Sequence, residues 1–321
     1  MTGASGHRET AVEVLYLVGS GRSGSTLLQE MLADVCGGAA VGEISAVWVR
    51  GFLENRRCSC GANFRTCEFW RSVVSSEPAV FSDATAERVR DLYSKILRPA
   101  TPLRIAMGGI PLKTLERRAG SWYREAAEAL YRAVAETAGV DMLVDSSKSP
   151  VLAWIHSRLG AVRLRLVHLV RDPRAVAHSW QRKVQTPEGV QPLPTMAPWK
   201  SAVSWVFVNT GAVALRRELG VVRVRYEDLA AWPEETLRRI LLELGVAVEG
   251  LDLRLTEVRP TSVDAHVLQS NPRVRFASGP LKIGLDTEWE SAMGFGAKGL
   301  VSAITAPLLP LFGYRIRPKR S

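Results

Sequence analysis

The sequence predicts an α/β fold: a three-layer, mostly parallel sheet flanked by helices on both faces, with a helical insertion. Three observations predict it. Short β-branched apolar runs alternate with segments whose apolar residues recur at i, i+3 and i+4, as in strands joined by crossover helices. The first run, Val12–Val18, feeds straight into Gly19-Ser20-Gly21-Arg22-Ser23-Gly24-Ser25-Thr26 and then a helical pattern. With 321 residues, 46% of them hydrophobic, the chain can bury one large core.

In order, Val12–Val18 is the first strand, Thr26–Cys36 the helix leaving the glycine-rich loop, and Ala39–Glu43 a short second strand. A helical insertion over 50–140 follows, with amphipathic patterns at Asp83–Leu97 and Ser121–Ala138. Met142–Val144 is the third strand and ends in Asp145-Ser146-Ser147-Lys148, with Lys148 at a helix start. Arg163–Val170 is the fourth and runs into Arg171-Asp172-Pro173, where Asp172 suits an N-cap and Pro173 a first helical turn. A long helix at Trp199–Leu219, a fifth strand at Val221–Arg225 and a helix at Pro233–Leu244 complete the pattern. Two stretches lack periodicity: the proline-rich Gln185–Pro198, of a kind that often forms lids or substrate loops, and Thr261–Asp286. No internal repeat interrupts the pattern, so residues 1–321 read as one domain, with a disordered start (1–10) and a basic tail (314–321).

The loop after the first strand is a phosphate cradle. Glycines let the backbone turn tightly against a ligand, and the free N–H groups of the helix start face an anion. The spacing fits the phosphate-loop pattern G-x-x-x-x-G-K-[ST], which makes the expected fold P-loop-NTPase-like, except that Ser25 stands in the lysine position. An NTPase uses that lysine to reach the β/γ-phosphates, so this loop holds a nucleotide phosphate without the usual phosphoanhydride chemistry. The other polar clusters (Glu43, Asp145–Lys148, Arg171–Asp172 and Tyr226–Asp228) also end strands, and ligands of open α/β sheets sit beyond strand C-termini.

Lys and Arg outnumber Asp and Glu by 42 to 32, a net charge of +10 that suits an anionic ligand. The arginines are dispersed and no basic run interleaves with aromatics, which argues against nucleic acid. Met1–Thr10 has no apolar signal-peptide core, and Leu300–Phe312 is short and broken by Pro307 and Pro310, so no transmembrane segment is expected and the chain reads as cytoplasmic. The oligomeric state has no signature. Cys36 stands alone, whereas Cys58, Cys60 and Cys67 cluster. Their C-x-C…C spacing lacks a fourth ligand and the paired C-x₂-C of zinc ribbons; zinc, a disulfide and reduced thiols in a structural loop all remain open, and no metal site is assigned.

Val18-Gly19-Ser20-Gly21-Arg22-Ser23-Gly24-Ser25-Thr26-Leu27-Leu28 resembles the 5′-phosphosulfate loop of the PAPS-dependent sulfotransferases (PAPS is 3′-phosphoadenosine 5′-phosphosulfate). Leu169-Val170-Arg171-Asp172-Pro173-Arg174-Ala175-Val176-Ala177-His178-Ser179 resembles their 3′-phosphate motif, and Arg225-Tyr226-Glu227-Asp228-Leu229 a third element. The tyrosylprotein and carbohydrate type is most similar, since R-S-G-[ST]-T is followed there by a G-E pair, here Gly42-Glu43. Two departures stand out: Trp180-Gln181-Arg182-Lys183 is one residue short of the tyrosylprotein spacing, and the cysteine loop and helical middle have no counterpart in that subgroup.

The resemblance implies PAPS as donor, adenosine 3′,5′-bisphosphate (PAP) as product, no metal requirement, and an acceptor hydroxyl on a carbohydrate, glycolipid or secondary metabolite. It implies cofactor contacts from Ser20, Gly21, Arg22, Ser23, Gly24, Ser25, Thr26, Arg171 and Ser179, with Tyr226 near the adenine and Arg273 closing over the 3′-phosphate. Arg22 would stabilise charge on the bridging oxygen, Glu43 would act as general base, and Lys148 would support the substrate or sulfonate. His178 and His168 are lesser candidates for the base, His168 reading as a core histidine. The competing expectations are a P-loop kinase-like phosphotransferase, sulfation of a tyrosine or peptide, and a non-catalytic nucleotide-binding protein.

Overall fold

The structure, a computed structural model, describes residues 11–183, 194–254, 257–258, 266–271, 274, 276 and 279–316. Five parallel strands form the central sheet: β1 (Val12–Gly19), β2 (Ala39–Gly42), β3 (Met142–Lys148), β4 (Val162–Val170) and β5 (Val221–Arg225), in the order β2-β3-β1-β4-β5. The helices are α1 (Ser25–Cys36), α2 (Glu68–Ser76), α3 (Asp83–Ile96), α4 (Thr101–Ala106), α5 (Leu112–Ala138), α6 (Pro150–His156), α7 (Pro173–Gln181), α8 (Pro198–Leu215), α9 (Tyr226–Ala231), α10 (Pro233–Glu243), α11 (Glu288–Ala292) and α12 (Phe295–Thr305). A two-residue antiparallel ribbon, Glu257–Val258 with Leu281–Lys282, lies outside the main sheet.

β1 shows why the sheet takes three layers. Its side chains alternate across the pleat. Leu15 and Leu17 pack with Leu28 and Met31 of α1 and with Leu237, Ile240 and Leu241 of α10. Val14, Tyr16 and Val18 face the opposite layer, where α2, α3, α5 and α6 contribute Val73, Val89, Leu115, Tyr131 and Leu152. The expected helical insertion is the crossover from β2 to β3, and its apolar face covers this second side of the sheet.

Most boundaries match the sequence expectations within one or two residues; the larger differences have identifiable causes. The chain is helical from Leu112, but Gly120 leaves the helical region (φ 72°, ψ 171°), so α5 is two helices joined at a kink. The sequence expectation captured only the second. β3 runs four residues past Val144, because Asp145–Lys148 continue the ladder against β1 and β2. Lys148 therefore ends a strand with φ 64°, and Ser149, not Lys148, caps the next helix by accepting the N–H of Leu152. Glu43 has left β2 and precedes a short 3₁₀ turn, Ile44–Ala46. Tyr226, placed at a strand end by sequence, opens the short helix α9. The long helix α8 stops at Leu215 instead of Leu219. No helix among the described residues is long and apolar enough to cross a membrane.

Candidate active site

β1 is central, with β3 on one side and β4 on the other, so the chain leaves its C-terminal end at a point where the connections diverge. Such a point opens a crevice. Gly19 ends β1 at φ 153°, and a Cβ there would lie 2.2 Å from the carbonyl oxygen of Leu169. Only glycine lets the loop depart while β1 and β4 remain paired. Gly24 stands at the N-cap of α1 with φ 90°, and a Cβ would meet Cδ2 of Tyr226 at 2.5 Å. Among the described residues no side chain caps α1. Its first N–H groups are thus available to an anion, with the positive end of the helix dipole behind them.

The crevice is a cleft of about 1100 Å³, and it gathers most of the residues singled out by sequence: Gly21, Arg22, Gly24, Ser25, Thr26, Glu43, Lys148, Arg171, Ser179 and Tyr226. Ser20 and Ser23 belong to the same loop but are buried beneath it. The Ser23 hydroxyl is buried with no hydrogen-bond partner among the described residues. Arg273 and most of the Gln185–Pro198 loop lie outside the described residues.

Arg171 follows the last residue of β4, with its side chain only 6% exposed. Its guanidinium stacks on Tyr226 (4.3 Å to the ring centroid) and donates to the carbonyls of Arg22 (3.2 Å) and Asp286 (3.3 Å). It also pairs with the Asp286 carboxylate at 3.2 Å, and Arg182 approaches the same oxygen at 2.9 Å. Burial pushes the Asp286 carboxyl up, but the two guanidinium groups outweigh it and hold the acid below the usual carboxylate range. Asp172, the adjacent acid, is not Arg171's partner. It caps α7 through the N–H of Arg174 (2.9 Å) and pairs with the Arg174 side chain. Arg171 is thereby left facing the cleft, and Ser179, half-buried two turns along α7, faces it too.

Tyr226 sits under this arrangement. Its ring packs against Gly24 and Arg171, while its hydroxyl donates to the carbonyl of Gly284 (2.9 Å). Arg22 takes a left-handed backbone conformation (φ 67°), which aims its carbonyl at Arg171, and its guanidinium lies over the Trp180 ring at 4.9 Å.

On the other side of the loop, Glu43 and Lys148 form an ion pair at 2.5 Å with side chains 30% and 18% exposed. Lys148 also donates to the carbonyl of Ser146 (2.9 Å), and the Glu43 amide donates to the carbonyl of Gln269 (2.9 Å). A buried relay anchors this edge. Tyr131 donates to Asp145 (2.6 Å), so at their 3.1 Å contact His156 Nδ1 must donate to the Tyr131 oxygen, leaving Nε2 to accept from Tyr123 (2.9 Å). Asp145 in turn accepts from the Ser147 amide (2.7 Å) and hydroxyl (2.6 Å), which fixes the residue before Lys148. Burial pushes the Asp145 carboxyl up to about 6 and the His156 imidazole down to about 3.

The two histidines held as lesser candidates are placed elsewhere. His168 is buried mid-strand, hydrogen-bonded to Asn209 (2.8 Å) and lowered by burial to about 4, a satisfied core residue. His178 lies near Glu288 at 3.5 Å. Sequence reasoning missed Asp286, Trp180 and Gln269. Asp286 ends an aperiodic stretch with no motif, and Trp180 carries no polar signal; only their arrival from distant elements identifies them.

Chemically, the cleft offers a helix N-terminus and a buried arginine as two separate anion sites, with a carboxylate–ammonium pair on one rim. A family model described as "Sulfotransferase family" matches residues 15–250. Carbohydrate sulfotransferase 3 of Mus musculus is 27% identical over 178 residues, and that of Rattus norvegicus 26%. Each match covers 48% of this chain but 34% of the relative, so the chain spans about a third of the curated proteins' length. Among solved structures, the sulfotransferase domain of the Synechococcus PCC 7002 olefin synthase aligns at TM-score 0.46 and 18% identity, covering 99% of this chain and 100% of that domain. The sulfotransferase domain from the curacin biosynthetic pathway aligns at 0.45 and 17%, covering 96% and 99%. The family match takes in every strand of the sheet but the first residues of β1, together with the glycine-rich loop and Arg171, and on that extent the chain belongs to the sulfotransferase family.

Proposed function

We propose that the protein transfers a sulfuryl group from PAPS to a hydroxyl of a carbohydrate, glycolipid or secondary metabolite, with Glu43 as general base. The observation that carries this reading is the convergence in one cleft of the α1 N-terminus, the buried Arg171 and the Glu43–Lys148 pair. PAPS, when bound, supplies a sulfonate on a phosphoanhydride-like bond and a second anionic anchor at its 3′-phosphate. The residues present fit such a donor: the loop is too tight for any Cβ at Gly24, and the buried Ser23 hydroxyl lacks a partner among the described residues.

The loop from Ser20 to Thr26 would hold the 5′ end through N–H groups and hydroxyls, and Arg171 with Ser179 the 3′-phosphate. Arg273 is proposed as a further 3′-phosphate contact from its sequence position alone. Tyr226 supports both sites from below through Gly24 and Arg171, a geometry that favours a positioning role over contact with the adenine. Arg22 carries a permanent charge within the loop and would stabilise the leaving oxygen. Glu43 would accept the acceptor's proton, and Lys148, already within hydrogen-bond reach, would orient the carboxylate and face the transferred group. The carbohydrate sulfotransferases to which the chain is similar favour a glycan among the possible acceptors.

The test is transfer of labelled sulfate from PAPS into a pool of glycan and small hydroxylated acceptors. Glu43→Gln should lower turnover by about 10²–10⁴-fold, the usual worth of a general base, while the affinity for PAP stays within about threefold. Turnover unchanged in Glu43→Gln would remove Glu43 from the mechanism.

A further inference from the structure

The three clustered cysteines gain in the fold the ligand they lack in sequence. Cys58, Cys60, Cys67 and His266 bring their ligating atoms within 4.8 Å of one another. Cys60 and Cys67 sulfurs are 3.7 Å apart, and Cys67 Sγ lies 3.2 Å from His266 Nδ1. A disulfide would need about 2.05 Å, so the pair is not bonded. A tetrahedral ion with metal–sulfur bonds of about 2.3 Å has edges of about 3.8 Å between sulfurs. The observed spacing is that of such an edge.

The surroundings hold these four groups in place. The chain turns back between Arg57 and Asn63, with the Cys58 amide donating to Ala62 (2.7 Å) and the Gly61 amide to Cys58 (3.0 Å). Cys67 is the N-cap residue of α2. His266 has a left-handed backbone (φ 54°), a strained conformation for a non-glycine residue. Its ring stacks on Phe69 at 4.9 Å, and its carbonyl accepts from Trp70 (2.7 Å). Strain accepted to aim one imidazole at three thiols marks a site.

From this geometry we infer that Cys58, Cys60, Cys67 and His266 bind one zinc ion in a closed Cys₃His structural site. Three thiolates and an imidazole are the soft and borderline donors zinc selects, and four protein ligands leave no position for a reacting water. The ion does not take part in the transfer; it fastens the 58–67 loop to the 266–271 segment. That segment is also tied by Ser59 and Val267, which exchange hydrogen bonds of 3.0 and 2.9 Å. Two residues beyond Val267, the carbonyl of Gln269 accepts the amide of Glu43, and Gln269, Ser270 and Asn271 line the cleft. Zinc therefore braces the wall beside the proposed base. Sequence left zinc open and assigned no metal site, because the fourth ligand lies 199 positions from Cys67.

The experiment measures metal in the full chain after dialysis against metal-free buffer. About one zinc per chain is expected, with Cys60→Ser and His266→Ala retaining less than about a fifth of it and His266→Cys restoring it. Cobalt replacement should give the visible bands of a tetrahedral site and a thiolate-to-cobalt charge-transfer band. Chelation should accelerate hydrogen exchange at the amides of Glu43 and Ser59 about tenfold or more while β1 is unaffected. Wild-type protein with less than about 0.1 zinc and three freely reactive thiols, iron in place of zinc, or a Cys60–Cys67 disulfide on intact mass would overturn the assignment. Cobalt and thiol readouts use the unsubstituted chain, so they decide even where a variant fails to fold. Either result leaves the reading of the nucleotide cleft independent.

Discussion

Replacing Arg171 by alanine separates the two anion sites. The guanidinium is nearly inaccessible, fixed over Tyr226 and paired with Asp286 at 3.2 Å. A 3′-phosphate received there gains two charge-assisted hydrogen bonds, each contributing about 1.5–3 kcal/mol. Releasing Asp286 from Arg171 offsets this by about 1 kcal/mol, since the acid keeps its 2.9 Å contact with Arg182. The net is about 2–5 kcal/mol, or a loss of about 30- to 5000-fold in affinity. The assay is calorimetric titration of PAP and of adenosine 5′-monophosphate on wild type and variant. PAP should weaken by that factor and the monophosphate by less than about threefold. The counterpart, Asp286→Asn, should tighten PAP by about five- to tenfold because the competing carboxylate is gone. Equal losses for both nucleotides in Arg171→Ala would refute the two-site reasoning, provided thermal melting shows the variant folded.

Two further perturbations test the scaffold. Gly24→Ala places a Cβ 2.5 Å from the Tyr226 ring at φ 90°, and should cost about 2–4 kcal/mol from backbone strain and overpacking; thermal melting should show it, and Tyr226→Leu should recover part of the loss in a double-mutant cycle. The buried relay should shape stability against pH, followed by denaturant titration from pH 4 to 8. His156, lowered to about 3 by burial, contributes on the order of 5 kcal/mol above pH 6.5, lost as pH falls toward 3. Asp145, raised to about 6 by burial, acts in the opposite sense: its contribution, about 3 kcal/mol, is complete below pH 3.8 and lost as pH rises through 6. His156→Phe should flatten the acid loss and Asp145→Asn should steepen it; parallel curves for wild type and both variants would contradict the burial argument.

How legible each part was in the sequence follows from how local its determinants are. β1, the glycine loop and the start of α1 depend on apolar alternation and on residues adjacent in the chain, so pattern and motif agree with the fold to a residue or two. Asp172 and Pro173 likewise set the start of α7 locally. The reach of β3 to Lys148 is decided by pairing with β1 and β2, a non-local ladder that Asp145-Ser146-Ser147 do not advertise. Gly120 breaks α5 although the flanking periodicity is helical, a backbone effect that apolar spacing cannot register. Asp286 against Arg171, Trp180 against Arg22 and His266 against Cys67 join elements 115 or more residues apart in the chain. The cysteine cluster was short of one ligand and the chain holds only five histidines, so a search among them was open to sequence alone.

The central claim is that the cleft is built for a nucleotide with separate 5′ and 3′ anions. Competitive calorimetric titration of wild-type protein with PAP and with ATP–Mg²⁺ tests it most directly. The arrangement of the α1 N-terminus and Arg171, with Ser25 in place of a phosphate-loop lysine, predicts tighter binding of PAP by about tenfold or more. Tighter binding of ATP–Mg²⁺ would contradict the account and favour a phosphotransferase.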